Sequence, residues 1–169
     1  EIVLVSTSIC AALLHDVEED TDYTNEDIAN LFGPKVADIV EGLTKINRGV
    51  FGDRDSLQAE TFKKLLLTMS DDIRVILIKI SDRLHNMRTL ASMAKSRQYK
   101  IAGETLYIYA PLADRLGLNK IKTELEDLSF RYELPEEYEK ITQLLANTQE
   151  ERKTIFDSFV GPIRDALDK

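Results

Sequence analysis

At 169 residues and 43% hydrophobic content, the chain is long enough for one domain with a buried core. Its 30 acidic and 22 basic residues leave a net charge of −8, which excludes a broadly basic nucleic-acid surface and argues against direct DNA binding. The lone cysteine, Cys10, excludes an internal disulfide, and no apolar run approaches the roughly 18–20 residues that span a bilayer, so the expectation is a cytoplasmic protein without membrane contact.

Few Gly and Pro, no Trp, and abundant Ala, Leu, Ile, Glu and Lys favour helix over sheet. The chain opens at Glu1 without an initiator Met and is apolar from Ile2 to Val5. With no basic n-region and no cleavage site, this reads as entry into the middle of a fold rather than as a signal peptide. Residues 2–18 predict one apolar helix ending in the acidic cluster of "LLHDVEEDT" (residues 13–21). Thr24 and Asp27 then have the spacing of a capping box for a short helix that stops at Gly33. Pro34 opens the next helix, whose Val36, Ile39, Val40, Leu43 and Thr44 recur on one buried stripe.

"NRGVFGDRD" (47–55) reads as a loop and "SLQAETFKKLLLTMS" (56–70) as a helix. The β-branched run Val75–Ile80 resembles a strand, but it continues without Gly or Pro into "SDRLHNMRTL", which favours one long buried helix. "YKIAGETLYIYAPLADRLGL" and "NKIKTELEDLSFRY" predict two more. A long charged helix follows Pro135 and should break at Gly161-Pro162. The fold class is all-α.

Two constellations could carry chemistry. On a continuous helix, His15 and Glu19 share a face, as do Asp16 and Asp20, and His15 with Asp16 could reach one cation at the helix edge. An imidazole with carboxylates suits Mn, Zn, Fe or a Mg-like ion. The competing reading is a buried histidine followed by a solvated acidic turn, whose charges would oppose the dipole at a helix C-terminus. The second constellation is "SDRLHNMRTL". His85, Asn86 and Thr89 each fall within about 60° of Asp82 on a helical wheel, leaving Ile76, Ile80, Leu84 and Met87 free to pack elsewhere. Such a stripe suits a cavity wall or, equally, a solvated face. Lys45, Arg48, Arg54, Lys63, Lys64, Arg83, Arg88 and Arg115 recur nearby; a subset converging on a metal could bind a polyphosphate. There is no P-loop or Gly-rich nucleotide fingerprint, and neither histidine has a suitably placed nucleophile.

"LLHDVEEDTDYT", "FGPKVADIVEGLTKI", "QAETFKKLLLTMSDDIRVILIKISDRLHNMRTL" and "YAPLADRLGLNKIKTELEDLSFRY" together resemble the hydrolase domain of the RelA/SpoT homologue family, an HD phosphohydrolase. The resemblance covers most of residues 8–140 and implies an HD-domain helical bundle. The implied activity is metal-dependent removal of the 3′ pyrophosphate of guanosine tetra- and pentaphosphate, (p)ppGpp, in the stringent response. It further implies Mn²⁺ held by His15, Asp16 and Asp82, with Glu19 and Asp20 as the catalytic pair. Asn86 and Thr89 match nucleotide-contacting positions, and Arg83 and Arg88 match neighbouring motif positions. The family's first metal-binding histidine lies upstream of the region matching Glu1. The expected organisation is therefore an N-terminally truncated hydrolase domain over residues 1–134, with a helical connector over 135–169 leading toward a synthetase domain in cis. A fragment short of one ligand could alternatively be an inactive regulatory module, and an HD phosphohydrolase acting on other nucleotides is a third reading.

Overall fold

A computed structural model describes residues 6–47 and 72–167, and among these every regular element is helical. The expected loop at 47–55 (beyond Asn47), the expected helix at 56–70, and Arg48, Arg54, Lys63 and Lys64 lie outside the described residues.

The first departure from the sequence pattern occurs at the acidic motif. Helix α1 (Ser6–Leu13) stops, residues 14–16 form a turn, and a single-turn helix α2 (Val17–Asp20) restarts. The expected continuous helix is therefore two. Glu18, Glu19 and Asp20 occupy the first turn of α2, where the N-terminal dipole favours acids, so the anticipated conflict with a C-terminus does not arise. Helix α3 (Asn25–Phe32) begins with the expected capping box: Asp27 N–H donates to Thr24 Oγ1 at 3.3 Å and Thr24 N–H to Asp27 Oδ2 at 2.8 Å. Gly33 ends α3 at φ 92°, a conformation that favours glycine, and Pro34 starts α4 (Pro34–Asn47).

Helix α4 buries the predicted stripe of Val36, Ile39, Val40, Leu43 and Thr44, with Ala37 beside it. The buried Thr44 hydroxyl donates to Val40 O at 3.1 Å, so no polar group is stranded there. This helix packs on α1, α3 and α5 (Ile73–Arg88). Gly42 eases its approach to α5, since a Cβ at that position would stand 3.0 Å from Val75 Cγ2 and the valine would have to give way. Helix α5 is the one long helix expected from 73 onward, with Ile76, Ile80, Leu84 and Met87 in the core. A 3₁₀ turn (Leu90–Ser92) closes it.

Helices α6 (Lys95–Glu104) and α7 (Ala110–Arg115) are joined by a π-helical turn, Thr105–Tyr109. Pro111 lies just beyond that turn. Its ring would crowd the carbonyl four residues back in a regular helix, and the wider turn relieves this. Helix α8 (Asn119–Glu133) packs on α5, α6, α7 and the π turn, which closes the core around Leu112 and Leu125.

Beyond Leu134 the character changes. Helix α9 (Pro135–Asn147) touches α8 through the Tyr138 and Phe130 rings, 5.7 Å apart edge to face. The expected break at Gly161-Pro162 falls instead at Thr148, and α10 (Gln149–Leu167) runs through the Gly-Pro pair. One proline removes one ladder hydrogen bond, which this exposed helix tolerates. At Thr148 the side chain takes over capping by donating to Leu144 O at 2.9 Å.

Candidate metal centre

The turn between α1 and α2 positions His15. Its Nδ1 sits 2.8 Å from Ala12 O. A carbonyl only accepts, so Nδ1 carries a proton, and with the ring in its neutral form Nε2 would present a lone pair. That Nε2 is buried and has no hydrogen-bond partner. Two carboxylates close on it: Asp16 Oδ2 at 2.9 Å and Asp82 Oδ1 at 3.5 Å. Asp16 is the N-cap residue of α2, yet its side chain does not cap the helix; it turns to His15 instead. Asp82 arrives from α5, so the pair and the distal acid meet because α1 packs against that helix.

With the ring in its neutral form, these three acceptor atoms would repel one another unless a cation joined them. Ligands about 2.0–2.2 Å from a shared ion at tetrahedral or octahedral angles stand roughly 2.8–3.6 Å apart. The two distances to Nε2 lie within that range, so the residues present fit a divalent cation with nitrogen and oxygen ligands. Among the described residues no group of three or more His, Cys, Asp or Glu side chains is so placed as to hold a metal ion as it stands; the structure presents one shared nitrogen with two carboxylates drawn to it.

The other site residues fall into three groups. Asn86 belongs with Asp82, donating from Nδ2 to Oδ1 at 3.0 Å. His85 and Thr89, on the same stripe, are exposed, and the Thr89 hydroxyl donates to His85 O at 3.1 Å. The stripe thus grades from the site into solvent. Glu19 and Asp20 are exposed on α2. The two arginines are engaged elsewhere. Arg83 lies 3.4 Å from Glu104 Oε2 with its guanidinium 4.3 Å over the Tyr109 ring. Burial works against its charge, but Tyr109, Glu104 and Asp82 outweigh burial and hold it above its ordinary value. Arg88 forks onto Glu124 at 2.6 and 2.8 Å on the surface. That pairing raises the arginine and lowers the carboxyl.

Sequence reasoning passed over two acid–base groups. Lys79 is 4% exposed, and its Nζ lies 3.9 Å from Asp82 Oδ2; a lone cation inside "VILIKI" was the available signal. Glu18 has a buried Oε1 without a partner. It lines a cavity of about 450 Å³ with the α2–α3 turn, Glu41, Thr44 and Lys45.

A family model for the HD domain matches residues 2–119. The chain belongs to the HD-domain family. An HD hydrolase domain implies dependence on a divalent metal, in keeping with the chemistry at His15. The chain is 46% identical over 99% of its length to a protein of Myxococcus xanthus named GTP pyrophosphokinase, and it covers 22% of that protein. It is also 46% identical, over 99% of its length, to the bifunctional (p)ppGpp synthase/hydrolase SpoT of Escherichia coli K12, of which it covers 24%. A third relative, the GTP pyrophosphokinase rsh of Brucella suis, is 42% identical over 98% of the chain. The chain thus spans about a quarter of the length of the curated relatives it matches. No described helix of this HD domain is long and apolar enough to cross a membrane.

Proposed function

We propose that this HD domain is a cytoplasmic, Mn²⁺-dependent 3′-pyrophosphohydrolase of guanosine tetra- and pentaphosphate. The observation that carries the reading is the buried Nε2 of His15, which has no hydrogen-bond partner and faces Asp16 and Asp82. The likeness to proteins named guanosine-3′,5′-bis(diphosphate) 3′-pyrophosphohydrolase gives the substrate class.

His15, Asp16 and Asp82 would hold the cation. When bound, it supplies Lewis-acid charge for the phosphoryl group and acidifies water. Glu19 and Asp20, one turn beyond the ligand pair, manage the proton. Water adds at the phosphorus bonded to O3′ and the O3′–P bond breaks. One proton passes to the Glu19/Asp20 pair and one returns to O3′, giving pyrophosphate with GDP or GTP. Asn86 orients Asp82 and, with Thr89, faces the nucleotide. Arg88 exchanges Glu124 for a substrate phosphate, while Arg83 supports the site from behind, through Glu104 and Tyr109. Residues 1–134 form the hydrolase domain, and residues 135–169 connect it to a synthetase domain in cis. The support for that organisation is that each relative is about four times longer than the matched stretch.

Asp82→Ala is expected to abolish Mn²⁺ binding and the Mn²⁺-dependent formation of GDP from ppGpp. Turnover at the wild-type rate in that variant overturns the assignment.

A further inference from the structure

Lys79 has no place in the reaction just described, yet it is 4% exposed in the apolar half of α5. Lysines seldom lie so deep unless paired, because an unpartnered buried ammonium is costly. Among the described residues, Asp82 is the carboxylate within ion-pair distance of Nζ, one turn further along the same helix at 3.9 Å. The two oxygens of Asp82 are thereby divided. Oδ2 faces Lys79; Oδ1 takes the Asn86 amide at 3.0 Å and looks toward His15 Nε2 at 3.5 Å.

We infer that Lys79 is a positioning residue that reserves one oxygen of Asp82, so that the carboxylate offers the other, singly, to the cation held with His15 and Asp16. The inference rests on the metal reading above. A carboxylate without such an anchor can rotate about its terminal bond or turn both oxygens toward one ion. With Lys79 on one oxygen and Asn86 on the other, a single rotamer is retained and a coordination position stays open. Outer partners of this kind typically change metal affinity by about 10- to 100-fold.

The sign of the effect separates positioning from simple charge. Lys79 is a cation beside a cation site, so on charge alone its removal would tighten metal binding. On positioning, its removal weakens binding despite the lost repulsion. The test titrates Mn²⁺ into the wild-type chain, Lys79→Met and Lys79→Gln, following free Mn²⁺ by electron paramagnetic resonance, with circular dichroism as the check of fold. Methionine suits the apolar surroundings, so helicity and melting temperature are expected to hold or rise. The Mn²⁺ dissociation constant should rise by about tenfold or more in both variants, with Lys79→Arg recovering most of the loss. Unchanged or tighter binding in a folded Lys79→Met or Lys79→Gln chain overturns the role of Lys79 and leaves the metal reading intact. Failure of the wild-type chain to bind Mn²⁺ overturns both.

Discussion

Helices α5 and α9 have comparable lengths and both carry an apolar stripe, yet seven of the sixteen residues of α5 are buried and none of the thirteen of α9. Charge does not explain the difference, because α5 takes a lysine, an arginine and an aspartate wholly or largely out of water. Position does. α5 is packed between α4 and α8 with α1 against it, whereas α9 touches α8 and α10, and α10 touches α9. Apolar periodicity shows that a helix has a face to cover, but not that anything covers it. The polar stripe of α5 matters chemically because the rest of that helix is immobilised by packing, which fixes Asp82 relative to His15.

The widest contrast should appear in stability. Ile80, fully buried on α5, is expected to cost about 2–5 kcal/mol when replaced by alanine. Urea denaturation followed by circular dichroism measures it. A cost under about 1 kcal/mol would mean that α5 is not the packed spine inferred here.

The spine was legible from local chemistry. The Thr24–Asp27 box, the Gly33-Pro34 boundary and the stripe of α4 rest on neighbours in sequence, and each appears in the structure. The break at residues 14–16 was not legible, because neither Gly nor Pro marks it. It is held by His15 donating back to Ala12 and by Asp16 turning to the His15 ring instead of capping α2. The break at Thr148 shares that obscurity, since side-chain capping decides it, whereas the π turn had Pro111 as its mark in the sequence. At the site, helical spacing could place Asp82 and Asn86 on one face. It could not show that α5 lies against the α1–α2 turn, or that Lys79 is buried behind Asp82, because those contacts join distant parts of the chain.

A smaller effect concerns the start of α5. Asp72 caps it, accepting from Arg74 N–H at 3.0 Å, while the Arg74 guanidinium forks onto the same carboxylate. Asp72→Ala is expected to cost about 1 kcal/mol, the usual worth of such a cap. The side-chain hydrogen bonds from Arg74 outweigh burial and hold the Asp72 carboxyl below its ordinary range, with its backbone bond and Lys35 adding to them. A depressed folded pKa contributes stability above the unfolded value, and that contribution is lost as pH falls through the folded one. The gap between wild type and Asp72→Asn should therefore be full near pH 7 and close only in acid below about 4. Melting temperatures across that range measure it, and a gap that widened in acid would contradict the pairing.

The smallest effect belongs to the far end of the molecule. On α10, Ile155, Phe156, Phe159 and Ile163 are all more than half exposed, with Phe159 at 70%. A side chain that is not removed from water on folding gives back little when deleted, so Phe159→Ser should change the unfolding free energy by no more than about 0.5 kcal/mol. The same substitution removes part of a contiguous apolar surface, the kind of patch that promotes association. Light scattering at rising protein concentration should therefore show less self-association than wild type, even though urea denaturation barely moves. A loss of 2 kcal/mol or more would show that Phe159 is covered in the isolated chain. The contrast between α5 and the C-terminal helices would then be one of partners rather than of burial.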